Sequence, residues 1–340
     1  MAVEINRLVI RAPNPLGDAV MALPAMTALR AAFRDRTLIV AAASSIAPLF
    51  EEITPAAPDE ILTVDRASET AALRGANLDA AVLLTNSFRT AWSCRQAHIK
   101  ERWGYRAYGR GLLLTRAVAR PRARIHQSAY YRQLVEKLGF EAPHILPRIE
   151  ITPQTAASVD ELLARENIDR SAPLVGMAPG AAYGHAKRWP PDRVAELAAR
   201  LCSRGATCVM VGAAGDRDAG REIESSLPAG ARVVNLIGRT DLRLFAGLLA
   251  ACHAFVSNDS GAMHLAAAAG VPVAAIFGPT DERVTAPLGD HDVIIHQVFC
   301  RPCMLRDCPI DHRCMRRISV DVVFDAVSRR LAARQRAGGV

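Results

Sequence analysis

Short apolar runs separated by segments of helical spacing recur along the whole chain. Leu8-Val9-Ile10 stops at Pro13-Asn14-Pro15, and apolar positions at helical spacing follow from Ala19 to Phe33, which predicts strand, loop and helix. Leu38 to Ala43 and Ala80 to Leu84 read as further strands, and Ser128 to Leu138 as a helix stopped by Gly139. A proline-containing stretch from Pro143 to Asn167 then precedes a second, cleaner alternation. Its strands are predicted at Leu174 to Ala178, Thr207 to Gly212, Arg232 to Leu236, Ala254 to Ser257 and Val273 to Phe277. Helices are predicted between them at Pro191 to Arg204, Asp216 to Ser226, Asp241 to Ala251 and Gly261 to Ala269, with a last helix at Asp321 to Arg334. Strands alternating with helices predict α/β domains built on parallel sheets, whose ligands lie at the carboxyl ends of the strands. We place two domains at 1–160 and 161–340, with the last helix able to pack back on the first.

Length and composition agree with this division, since 340 residues, half of them apolar, exceed a typical single domain. The longest apolar region, Ala262 to Gly278, is interrupted by His264, Gly270 and Pro272 and reads as helix, turn and strand, not as a membrane span. Met1 to Arg11 interleaves Glu4, Asn6 and Arg7 with apolar residues and so does not read as a signal peptide; a cytoplasmic protein is expected.

The net charge of +8 is concentrated, because Arg89 to Arg124 holds ten Lys/Arg and one acid, Glu101. Such a segment points to an anionic partner: phosphorylated glycolipid, membrane headgroups or nucleic acid. A solvated arginine-rich surface is the plainer alternative. Arg102, Arg106 and Arg110 recur every four residues and would share one face of a helix, which makes them candidates for contacting an anionic acceptor.

Three loops carry candidate chemistry. Ser257-Asn258-Asp259-Ser260-Gly261-Ala262-Met263-His264 lies where a buried strand stops and an alanine-rich helix starts. Unpaired amides and the positive end of the helix dipole make that junction an anion site, and also an ordinary N-cap. Pro179-Gly180 through Tyr183, Lys187 and Trp189-Pro190 follows the first strand of the same domain, so two loops converge at one sheet end. Lys187 is one of three lysines among 39 arginines, and a compact ammonium suits a departing diphosphate. Pro15-Leu16-Gly17-Asp18-Ala19-Val20 joins the opening strand to its helix, where Asp18 is either a general base or a helix cap.

Together with Phe277-Gly278-Pro279-Thr280, these segments resemble the ADP-heptose:lipopolysaccharide heptosyltransferases, glycosyltransferase family 9, and within them the type II branch. The likeness runs in order across nearly the whole chain. It implies a GT-B fold, two Rossmann-like domains facing a central cleft, acceptor on the first and donor on the second. It implies an inverting transfer of L-glycero-D-manno-heptose from ADP-heptose to heptose I of the lipopolysaccharide inner core (heptosyl-Kdo2-lipid A). The enzyme would be a monomer peripheral on the cytoplasmic face of the inner membrane. Carried over by position, Asp18 is the base, with Gly17 shaping its loop on the acceptor side, and Lys187 stabilises the leaving ADP. Ser260 and Gly261 hold the diphosphate, Asp259 bonds sugar hydroxyls, and Gly180, Tyr183 and His264 complete the donor pocket. Ala182 and His185 depart from the acidic residue and proline usual in similar proteins. No catalytic cofactor is expected, since cationic side chains and helix ends can neutralise the diphosphate without a divalent ion.

Cys300, Cys303, Cys308 and Cys314, with His312 beside them, crowd into fifteen positions. Their spacing is compatible with structural zinc, an iron–sulfur centre or a loop of free thiols. Rival readings are heptosyltransferase I, a glycosyltransferase using another nucleotide sugar, or a non-enzymatic nucleic-acid-binding protein using the basic segment and the cysteine loop. The last is weakened by the few aromatics among those arginines.

Overall fold

The computed structural model describes residues 4–181 and 184–337. The chain divides into two compact units, Met1–Glu150 and Ile151–Val340. In the first, β1 (Arg7–Arg11), α1 (Leu16–Ala32), β2 (Thr37–Ala42), β3 (Glu60–Thr63), α2 (Glu69–Gly75), β4 (Ala80–Leu83), α3 (Phe88–Gln96), β5 (Glu101–Tyr105), β6 (Arg116–Val118) and α4 (Gln127–Lys137) follow one another. The second contains α5 (Pro153–Arg165), β7 (Leu174–Ala178), α6 (Pro191–Ser203), β8 (Thr207–Met210), α7 (Arg217–Ser225), β9 (Val233–Asn235), α8 (Leu242–Ala251) and β10 (Ala254–Asn258). It continues with α9 (Gly261–Ala268), β11 (Val273–Phe277), α10 (Glu282–Thr285), β12 (His291–Ile295), α11 (Arg313–Arg316) and α12 (Val320–Ala337).

Every strand pair is parallel, and each unit holds one six-stranded sheet, ordered β3-β2-β1-β4-β5-β6 and β12-β11-β10-β7-β8-β9. Counted from the first strand of each unit, the two orders are the same. Helices cover both faces of such sheets, so the central strands are continuous apolar runs, as in the wholly buried β7 and β11. The order reverses beside the first strand of each unit, between β1 and β4 and between β7 and β10. Side chains cannot close the sheet edge where neighbouring connections depart to opposite faces, and this switch point is where α/β sheets bind ligands.

The division at 150/151 differs from the expected boundary at 160/161. Helix α5 starts at Thr152, whose side chain caps it, and packs its Thr155 and Val159 against Gly247 of α8, so it belongs with the second unit. The last helix likewise places Val320, Val323, Ala326 and Val327 in the core of the second unit, beside Leu197 and Leu201 of α6.

Candidate active site

In the first unit, the chain leaves β1 at the switch point and turns through Ala12 to Pro15 into α1. Arg11 ends the strand and is buried. Its guanidinium bonds Glu69 at 2.6 Å and Asn14 Oδ1 at 3.1 Å, tying the strand end to the turn. Glu69 also pairs with Arg89. The N-cap of α1 is Pro15, with no side-chain cap bond, so Asp18 is not the helix cap that the sequence left open. Its carboxylate sits in the first turn, partly buried, and accepts a hydrogen bond of 3.3 Å from the Tyr131 hydroxyl of α4. Burial raises Asp18 above the ordinary carboxylate value, and the Tyr131 bond opposes that rise. Tyr131 is itself held protonated well above its usual value, first by burial and then by the Asp18 charge, and so remains a donor. A carboxylate with a raised proton affinity and one fixed donor is suited to take a proton from a hydroxyl.

The stretch that carries Arg102, Arg106 and Arg110 is not a helix. Arg102 lies in β5, Arg106 in the loop after it, and Arg110 in a following 3-10 turn, so the three share no helical face. Arg102 donates to the carbonyls of Leu113 (2.7 Å), Lys100 and Ile99. Arg110 is fully buried, donates to the carbonyls of Tyr105 (2.8 Å) and Thr85, and reaches Asn86 Oδ1 at 3.5 Å. Burial lowers its guanidinium to about 10, which still leaves it charged at neutral pH. Arg110 therefore braces the carboxyl ends of β4 and β5 from inside, Arg102 ties the amino end of β5 to the turn at Leu113, and Arg106 alone of the three is exposed.

In the second unit, three loops meet at the carboxyl ends of β7, β10 and β11. Asn258 ends β10 and links them: its amide donates to the carbonyls of Pro179 (2.7 Å) and Gly180 (3.3 Å), and its Oδ1 accepts from the Trp189 amide (3.1 Å). Buried Asp259 accepts at Oδ2 from Lys187 Nζ and from Thr280 Oγ1, both at 2.6 Å. Lys187 also donates to the Asp259 carbonyl at 3.3 Å. Ser260 is the N-cap of α9 but makes no side-chain cap bond; its hydroxyl lies 3.1 Å from that of Ser257. Gly261 opens the helix, and His264, one turn in, is buried. Gly180 has a steric role, because a Cβ there would meet the Asp216 carboxylate at 2.1 to 2.3 Å. Asp216 in turn pairs with Arg188 at 3.2 Å.

The geometry thus gathers Gly180, Lys187, Asp259, Ser260, Gly261 and His264 around one switch point, and Gly17 and Asp18 around the other. A family model for glycosyltransferase family 9 (heptosyltransferase) matches residues 66–313. The chain belongs to glycosyltransferase family 9. This heptosyltransferase-family chain is 32% identical over 307 residues to lipopolysaccharide heptosyltransferase 2 of Salmonella typhimurium, covering 86% of this chain and 88% of that protein. The Escherichia coli protein of the same name is 31% identical with the same coverage. The solved structure of E. coli ADP-heptose lps heptosyltransferase II superposes with a TM-score of 0.84 at 27% identity, covering 97% of this chain and 99% of that one. The fold is accordingly of the GT-B kind, and the protein is a glycosyltransferase.

Tyr183 and Ala182 lie outside the described residues. Four contributors escaped sequence reasoning: Tyr131, the brace Asn258, Thr280 and the Arg188–Asp216 pair. Asn258 and Thr280 stood inside recognised motifs without a role; Tyr131 carried no local signal. All eight cysteines are free thiols, and among the described residues no group of three or more His, Cys, Asp or Glu is arranged to hold a metal. Burial, with the Cys300, Cys308 and Cys303 thiols nearby, keeps Cys314 above its ordinary value.

Proposed function

We propose that this glycosyltransferase moves L-glycero-D-manno-heptose from ADP-heptose to heptose I of the lipopolysaccharide inner core, with inversion, as a monomer peripheral on the cytoplasmic face of the inner membrane. The observation that carries the reading is Asp18, a carboxylate raised by burial and oriented by Tyr131 at the switch point of the first sheet, in a chain of this family. The relatives' names support heptosyl transfer to lipopolysaccharide, and the name of the E. coli structure supports ADP-heptose as donor.

In the proposed reaction the acceptor hydroxyl oxygen attacks the anomeric carbon while its proton passes to the Asp18 carboxylate. The bond from that carbon to the diphosphate breaks, and its electron pair leaves with ADP. Gly17, beside Asp18 and buried, lets the acceptor approach the loop. The amides of Ser260 and Gly261 at the positive end of α9 take the diphosphate. Lys187 stabilises charge growing on the leaving group, and an ammonium has three N–H donors with which to do so while still holding Asp259. Asp259 Oδ1 receives sugar hydroxyls, His264 supports the same wall, and Gly180 lines the donor loop. Arg106 is the acceptor contact of the three arginines; Arg110 holds the rim on which it stands, and Arg102 is structural.

The test is release of ADP from purified ADP-heptose with a heptosyl-Kdo2 acceptor. Asp18→Asn should lower kcat by about 10²-fold or more while ADP still binds by calorimetry. Turnover at the parent rate removes Asp18 from the reaction. Parallel assays with UDP- and GDP-sugars, and with an acceptor lacking heptose, separate the readings of another donor and of heptosyltransferase I.

A further inference from the structure

Four large apolar side chains stand in water on two adjacent elements of the first unit. Phe88 and Trp92, one turn apart on α3, are 48% and 44% exposed and stacked, with ring centroids 6.4 Å apart and planes 14° from parallel. Tyr108 and Leu112 follow β5 and are 75% and 92% exposed. The 3-10 turn carrying Leu112 packs against α3, so the two pairs stand on adjacent elements. Single exposed apolar residues are ordinary, but a cluster of this kind marks a partner.

The same stretch of chain carries exposed cations, Arg95, Lys100, Arg116, Arg120 and Arg122, and Arg120 lies over the Tyr108 ring at 5.9 Å. The one acid of the segment, Glu101, is turned to internal use by Trp103 Nε1 (2.9 Å) and Thr115 Oγ1 (2.8 Å). Aromatic rings and a leucine flanked by arginines, without exposed carboxylates, match the headgroup layer of an anionic bilayer, where rings settle and guanidiniums meet phosphates. A protein interface is depleted of charge at its centre, and a leucine exposed to this degree offers nothing to a base or a phosphodiester.

We propose that this patch docks the enzyme on anionic membrane, with Phe88, Trp92 and Leu112 entering the headgroup layer. The inference rests on the proposed lipid-linked acceptor and adds how that acceptor is met. In a parallel sheet all carboxyl ends share one edge, and β4, which leads into Phe88, is the neighbour of β1, which leads into Asp18. Docking by this rim therefore brings the edge carrying Asp18 to the bilayer surface.

Tryptophan emission tests it directly, because Trp103 and Trp189 are buried and Trp92 alone of the three is exposed. Vesicles of phosphatidylglycerol and phosphatidylethanolamine should shift the emission of the intact chain to the blue and carry it into the pellet; phosphatidylcholine vesicles should do neither. The triple variant Phe88→Ser, Trp92→Ser, Leu112→Ser should lose about tenfold or more of its partition. Leu112→Ser alone, at a site that touches no core, should lose a measurable part of it. Both variants should retain transfer to a deacylated, soluble acceptor. Parent-like vesicle binding by the triple variant, no blue shift in the parent, or retention of a single-stranded RNA in place of vesicles would each overturn the proposal. Absence of transfer to the soluble acceptor by the parent is a different result, and it strikes the proposed function instead.

Discussion

Replacing Tyr131 by Phe removes one oxygen atom from a buried position and leaves the ring that packs α4 on α1 in place. That oxygen donates to Asp18 at 3.3 Å and is the one group that draws the carboxyl back down against its burial. Without it the protonated acid is favoured further, so the acid limb of kcat/KM moves to higher pH. A hydrogen bond to a charged group contributes about 1.5–3 kcal/mol, and at this length the lower figure applies. Since about 1.4 kcal/mol is a factor of ten, Tyr131→Phe should show roughly tenfold lower kcat/KM on the acid side. The plateau at higher pH, where Asp18 is ionised in both proteins, should be nearly unchanged. Initial rates of ADP release between about pH 5 and 9 with a soluble acceptor give the profile. Superimposable profiles for Tyr131→Phe and the parent would refute the coupling. A uniform loss at every pH would mean that Tyr131 only positions the helix.

Gly180→Ala should drive the Asp216 carboxylate away from Arg188, because no Cβ fits within 2.1 to 2.3 Å of it; calorimetry should show ADP binding weakened by about tenfold, with β7 intact by melting. Glu69→Ala leaves the buried Arg11 charge without its carboxylate and should destabilise the fold by about 3–5 kcal/mol in urea titration, with Glu69→Gln milder. Asp18→Asn should melt higher than the parent at neutral pH. An acid whose proton affinity rises on folding makes the fold less stable as pH climbs past its unfolded value near 3.8, and the amide lacks that penalty. Chelation by EDTA should leave the transfer rate within about twofold, since the proposed chemistry neutralises the diphosphate with Lys187 and backbone amides; a large loss restored by Mg²⁺ would contradict it.

Strands buried on both faces were the legible part of the fold. Val273 to Phe277 and Leu174 to Ala178 were read with their observed bounds because a parallel strand between helix layers is an uninterrupted apolar run. The sheet edges were not legible. β5 begins Glu101-Arg102, whose polar groups are satisfied by neighbouring loops, and β6 is three residues long, so neither shows an apolar pattern. The four-residue spacing of Arg102, Arg106 and Arg110 imitated a helix because strand, loop and 3-10 turn happen to repeat at that interval. At the site, glycines and charged residues at strand ends were visible as motifs, since each acts through its own loop. Tyr131 acts on Asp18 from 113 residues away, and no local pattern encodes such a partner.

The same strand order, repeated in both halves, gives each its own reversal point, and the proposed reaction assigns the acceptor to one and the nucleotide to the other. A two-substrate enzyme made this way can change what it decorates without relearning what it spends. Exchanging the turns after β1, β4 and β5 for those of a relative with another acceptor should redirect transfer while nucleotide affinity stays where it was, since the Asn258 brace and everything it ties belong wholly to the other half.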